Sequence, residues 1–113
     1  MAEEESKDKM NISFLDSRIV KFIEGLDKSN HAKVSHCFDL LKEFGNRIGL
    51  PHSKKVTKDF YELRISGQVA VRLFYIFHGD EAVIIHGFIK KTQNMPQREL
   101  AIAVRKLKLL RRK

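Results

Sequence analysis

The chain of 113 residues has no tryptophan, one cysteine, two prolines and six glycines. A lone Cys37 excludes an internal disulfide, so the fold must rest on a packed core, and a free thiol suits a reducing compartment. Cys37 lies in a helical pattern, where a thiol behaves as a small apolar core residue. Acids are scarce late in the chain: residues 51–113 hold 14 Lys or Arg against 5 Asp or Glu, while residues 1–50 hold 8 against 9. The net charge of +8 therefore belongs to the second half, where it serves either a solvated surface or a polyanionic partner. Long apolar runs are missing, and none approaches the ~20 residues of a membrane helix. The start, Met1–Lys9, is polar and acidic, the reverse of a secretory signal. A cytoplasmic protein with no membrane partner is expected. There is no Gly-rich phosphate loop and no nucleophile elbow. His31 and His36 are five apart, on different sides of a helix; His52 and His78 fall in loops. None is spaced with Cys37 or an acid as a zinc site requires, so neither metal nor cofactor is expected.

What is present fits one domain. Residues 1–10 have little to bury and read as a disordered acidic tail, leaving 11–113 as the domain. Asp16 or Ser17 caps a helix whose stripe is Ile19, Val20, Phe22, Ile23 and Leu26. Ser29 or Asn30 starts a second, with Val34, Cys37, Phe38, Leu41 and Phe44 at helical spacing and Gly45 as its stop. So short a join reads as an αα-hairpin. Asn46–Asp59 reads as a connecting loop. Phe60–Ile65, Val69–Phe77 and Ala82–Lys90 read as three strands of an antiparallel meander. Pro96 suits the first turn of a last helix with Leu100, Ala103, Val104 and Leu107 on its apolar side. The expected fold class is α+β: an N-terminal αα-hairpin packed on a small antiparallel β-sheet, with a C-terminal helix.

Residues two apart on a strand share a face. Arg64 therefore accompanies Glu62, Arg72 accompanies Phe74, and His86, Phe88 and Lys90 align opposite Val83, Ile85, Gly87 and Ile89. Packing Leu63, Leu73 and Tyr75 on the hairpin leaves Arg64, Arg72 and the His86–Lys91 end on an open face. Arginine suits phosphate because its planar fork makes two parallel bonds and keeps its charge. Lys90 and Lys91 act as point charges, Lys54 and Lys55 add cations for RNA, and Phe74 and Phe88 can stack on bases at roughly 1–3 kcal/mol each. Bland alternatives stand beside these roles. Arg64 can pair with Glu62 or Asp59, the phenylalanines can be core, and His86 can be a hydrogen-bonded structural residue.

The run Phe60-Tyr-Glu-Leu-Arg64, then Arg72-Leu-Phe-Tyr75, then Ile85-His-Gly-Phe-Ile-Lys-Lys-Thr-Gln93, with Pro96 opening a helix, resembles the HigB-like branch of the RelE/ParE toxin superfamily. The likeness spans residues 14–107. It implies a RelE-like fold and the toxin of a type II toxin–antitoxin system. The implied partners are a HigA-like helix-turn-helix antitoxin, through which alone operator DNA is bound, and the ribosomal A site with its mRNA. The implied activity is a ribosome-dependent mRNA endonuclease (an mRNA interferase) that inhibits translation. A ribose 2′-hydroxyl attacks the adjacent phosphodiester, without a metal. On that implication Arg64 and Arg72 hold the phosphate, Lys90 and Lys91 steady the scissile region, and His86 transfers a proton. The sequence departs from RelE-like members in having no tyrosine after Tyr75 and Glu62 where they carry lysine. Met10–Leu15 is the segment available for their leading strand, as a short edge strand. Two other functions compete: a ParE-like gyrase poison and a non-catalytic basic RNA-binding module.

Overall fold

A computed structural model describes residues 10–112. The expected acidic tail falls, apart from Met10, outside the described residues; Met10 donates its N–H to the Lys42 carbonyl. The elements are β1 (Asn11–Phe14), α1 (Ser17–Glu24), α2 (Lys28–Phe44), a 3-10 turn (Gly45–Arg47), β2 (Ser53–Lys55), β3 (Tyr61–Ser66), β4 (Ala70–His78), β5 (Glu81–Ile89) and α3 (Gln97–Arg111). The strands form one sheet in the order β1-β5-β4-β3-β2, with β1 parallel to β5 and the other pairs antiparallel.

This arrangement overturns the expected fold of an N-terminal αα-hairpin on a small antiparallel β-sheet. The class remains α+β, but a strand comes first, within the Met10–Leu15 segment available as an edge strand. The sheet is mixed and five-stranded, with the expected antiparallel meander only its β3-β4-β5 part. α1 lies on β5 and α2 on β3. Local pattern signals the two edge strands only weakly. β1 is only Asn-Ile-Ser-Phe, and its partner lies far along the chain, with Asn11 opposite Glu81. β2, within the stretch read as a loop, has two exposed lysines and no apolar residue. It is held by Ser53, which is 3% exposed with its Oγ 2.6 Å from the Tyr75 hydroxyl.

Helix starts follow ordinary capping chemistry. Asp16 accepts from the Arg18 and Ile19 amides, and Asp27 accepts from the Asn30 amide, satisfying donors that a first turn leaves unpaired. Asp27 thus holds the capping position expected of Ser29 or Asn30. Asn30 is fully buried and does something else. Its amide donates to the Val69 carbonyl (2.8 Å) and accepts from the Val69 N–H (3.0 Å), clamping the β3–β4 turn to α2. Gly67 in that turn is obligatory, because a Cβ there would sit 2.9 Å from the Asn30 side chain.

The sheet is covered on both sides. On one, Ile19, Ile23, Val34, Cys37 and Leu41 of the two helices pack on Leu63, Ile65, Val71, Leu73, Tyr75, Ala82 and Ile84. On the other, Ala103 and Leu107 of α3 pack on Phe60, Phe74, Ile76, Val83, Ile85 and Phe88. A bulge makes the second layer possible. The register shifts between Phe74 and Tyr75, which face His86 and Ile84, so Ile85 is the extra residue. Val83, Ile85, His86 and Phe88 consequently share one face, where strict alternation places the first two opposite the others. Among the described residues, no helix is long and apolar enough to cross a membrane.

Two stability measurements check this packing. Asn30→Ala strands the Val69 amide and carbonyl and is expected to cost about 2 kcal/mol, lowering Tm by roughly 10 °C; an unchanged melt would remove the clamp. Burial pushes the Tyr75 phenol up to about 12, against a smaller lowering from Ser53. The folded state then holds this proton more tightly than the unfolded chain, whose phenol titrates near ~10. Its stabilising contribution is complete below pH ~10 and is lost as pH rises towards about 12. Denaturant titrations of wild type and Tyr75→Phe across that window are expected to show a shallower decline in the variant.

Candidate nucleic-acid interface

Strand register builds the candidate site on the α3 side of the sheet. Arg64 stands directly opposite Arg72, Glu62 opposite Phe74, Lys54 opposite Glu62, His86 opposite Phe74 and Phe88 opposite Arg72. Two guanidiniums facing each other across a strand pair repel. Glu62 relieves this, its Oε1 lying 3.5 Å from Arg72 Nε. Glu62, offered by sequence as a partner for Arg64, is thus Arg72's partner; Asp59 pairs with Arg111 at 3.2 Å.

The Glu62–Arg72 pair is nearly dry, at 5% and 7% exposure. Arg72 Nη1 donates to the Val71 carbonyl at 3.1 Å. Arg72 Nε and Glu62 Oε1 are buried with no hydrogen-bond partner among the described residues. Burial lowers the Arg72 pKa, Glu62 raises it again, and neighbouring Arg64 adds a smaller lowering. A guanidinium nevertheless stays charged at neutral pH. Two cations against one carboxylate leave one net positive charge, and the ion pair's hydrogen bonding is incomplete. An oxyanion complements the net positive charge of this trio.

The other expected residues divide. His86 lies on the same face, ring-stacked with Phe88 and held by Glu99 of α3, with Nε2 2.7 Å from Glu99 Oε1. A carboxylate only accepts, so Nε2 carries the hydrogen and Nδ1 is the nitrogen left for another group. Glu99 was missed by sequence reasoning. Its one signal was an acid in the first turn of a helix, a position the helix dipole already favours. Lys90 hydrogen-bonds through its N–H to the Ala70 carbonyl, and its Nζ ties down the following loop through the carbonyls of Thr92 and Gln93. Lys91 is exposed and leaves the sheet at that same end, one step beyond the Arg64–Arg72–Phe88 row.

Lys54 and Lys55 are separated by strand parity. Lys54 takes the arginine face, whereas Lys55 reaches the other, its Nζ 5.9 Å from the Tyr61 ring centre. Phe74 and Phe88 are core residues, 0% and 6% exposed, and offer no ring face to a base. The open face expected there does not exist over those rings, because the apolar stripe of α3 covers them.

A cleft of about 730 Å³ between Leu15–Arg18 and the second half of α3 is lined by none of Arg64, Arg72 and His86. Lys54 is exposed and Arg64 half-buried beside the buried Arg72, a cationic rim whose shape suits a polymer better than a small metabolite. Among the described residues, no group of three His, Cys, Asp or Glu side chains could hold a metal ion. Cys37 is buried and its thiol pKa is raised by that burial, Lys33 opposing weakly, as befits an inert core thiol.

No curated protein matches this chain. A family model does, over residues 21–108, a span that takes in the second half of α1, all of α2, strands β2 to β5 and most of α3. With more than half its length matched, the chain belongs to the phage-derived Gp49-like protein family (DUF891), a RelE-like, toxin-like family of toxin–antitoxin systems.

Proposed function

We propose that the protein is the toxin of a type II toxin–antitoxin pair, of the HigB-like branch, and that it cleaves mRNA in the ribosomal A site. Family membership is compatible with the toxin role. The observation that carries the nuclease reading is Arg64 directly opposite a desolvated, partly compensated Arg72.

In the proposed reaction the ribose 2′-oxygen attacks the neighbouring phosphorus and forms a 2′–O–P bond, while the bond to the 5′-oxygen breaks. The products are a 2′,3′-cyclic phosphate and a 5′-hydroxyl. One proton leaves the 2′-hydroxyl and one arrives at the 5′-oxygen, so none is consumed. Arg64 and Arg72 donate to the non-bridging oxygens as charge builds on the phosphorane, an electrostatic role enhanced where water is excluded. His86, with Nε2–H engaged by Glu99, presents Nδ1 for proton transfer. The nucleophile belongs to the substrate, so the step calls for no metal-bound water. Lys54 and Lys91 supply charge to the flanking backbone, and Lys90 acts by shaping the loop that carries Lys91. A HigA-like helix-turn-helix antitoxin would neutralise the toxin and alone contact operator DNA.

Arg72→Ala leaves Glu62 buried without its cation and is expected to cost roughly 3–5 kcal/mol, confounding any loss of activity with unfolding. Replacing both partners, Glu62→Gln with Arg72→Gln, removes the charges together. This double variant is expected to melt within a few degrees of wild type yet no longer arrest growth. A folded double variant that still arrests cells would take Arg72 out of the mechanism. Mapping mRNA 5′-ends after brief induction is expected to reveal cuts within translated codons, and purified protein to cut efficiently only with ribosomes. Equal cutting of naked RNA would contradict the A-site model, and DNA damage without mRNA cuts would point to gyrase.

A further inference from the structure

We propose that the cavity at the uncovered edge of β3, ringed by Lys33, His36, His52, Arg64 and Ser66, binds a phosphate group of a single-stranded RNA backbone. This rests on the RNA substrate proposed above, extending it to a second phosphate. The cavity measures about 210 Å³, below the usual range for a pocket enclosing a drug-sized ligand. Three elements form it: α2 contributes Lys33 and His36, the segment before β2 contributes His52, and β3 contributes Arg64 to Ser66.

The opening exists because β2 is short. Its pairing with β3 ends at Ser53 opposite Leu63. Beyond that only the Arg64 N–H is taken, by the His52 carbonyl at 2.8 Å. His52 is held in place, since adjacent Ser53 bonds both the Gly49 carbonyl (2.9 Å) and the buried Tyr75 hydroxyl (2.6 Å). Across the gap, the His36 and His52 rings meet edge to face at 6.1 Å.

Chemistry selects the ligand. No carboxylate lines the cavity, and neither Lys33 nor Arg64 has an ion-pair partner among the described residues. Cys37 also lines the cavity but is buried, and among the described residues it forms no three-ligand group with the two imidazoles that could hold a metal ion. Lys33 and Arg64 as cations, with two imidazoles and the Ser66 hydroxyl around one cavity and no counter-charge, suit a phosphate oxyanion. Arg64 also faces Arg72, so the same residue borders both phosphate positions and gives a backbone a continuous track around the sheet edge.

The test is a titration of the full chain, followed by the ring resonances of His36 and His52 in NMR. The probes are inorganic phosphate and a short 2′-O-methyl oligoribonucleotide, which cannot be cleaved. Both probes are expected to shift the two rings saturably. Lys33→Gln should weaken oligonucleotide binding three- to tenfold and reduce the salt slope of log K by about 0.7, one phosphate contact's worth for a single strand. Shifts with phosphate alone would assign the cavity to a free phosphate and overturn the backbone reading. Unmoved rings, or a Lys33→Gln variant with unchanged affinity and slope, would overturn the site itself. The outcome is separable from the nuclease proposal: protein that fails to cut mRNA on ribosomes yet shows these shifts loses the nuclease reading and keeps the site.

Discussion

The strand β4 is buried on both faces, and most of the molecule answers to that fact. From Val71 to Ile76 every residue is at most 8% exposed. A strand in that position needs a covering layer above and below. α1 and α2 form one layer and α3 the other. Arg72 is the one charged residue in this run, so it is carried into the interior with the strand. Desolvating a guanidinium is expensive unless an anion accompanies it, and Glu62, one strand over, is that anion. The candidate site thus follows from the placing of a charge on a strand that has no solvent side.

The second layer depends on an extra residue. Without Ile85 out of register, β5 would send Val83 towards α1 and α2. The bulge keeps Val83, Ile85 and Phe88 together for α3. His86, in regular register with Phe74, lies on that same face beside Glu99 of α3. The helix that closes this side of the core therefore also orients the imidazole. A side chain fixed on both sides, by Phe88 and by Glu99, has little rotamer freedom left to lose when a substrate arrives.

Charge is distributed unevenly between two settings. Arg72 sits where water is excluded, so charges interact strongly there. Glu62 at 3.5 Å offsets one of the two facing guanidiniums, while the other remains to attract an oxyanion. Lys33, His36 and Lys91 lie at exposed positions, where salt screens them and their effect is on approach and alignment. A polymer that spans both settings can be gathered by the exposed cations and held by the buried one.

Much of the chain's local structure was legible in its sequence. The spacing of Ile19 and Ile23, of Val34, Cys37 and Leu41, and of Leu63, Ile65, Leu73 and Tyr75 identified the residues that bury on the helical side, because amphipathic periodicity is a local property. That Arg64 and Arg72 share a face followed from strand alternation, whereas their pairing directly opposite each other is set by the register of β3 on β4. The order of layers did not follow. β1, offered by sequence only as an available edge strand, pairs with distant β5, and β2, too short and polar to announce itself, becomes a strand by pairing with β3 just after it. Hydrogen bonding between remote segments also decided the Ser53–Tyr75 contact, the Asn30 clamp and the His86–Glu99 pair. Composition and periodicity alone determined where the positive charge lies and which residues face α1 and α2 from β3 and β4. Only the tertiary structure decided how much of the opposite face stays open, since that depends on where α3 comes to rest and a single inserted residue on β5 governs what it can cover.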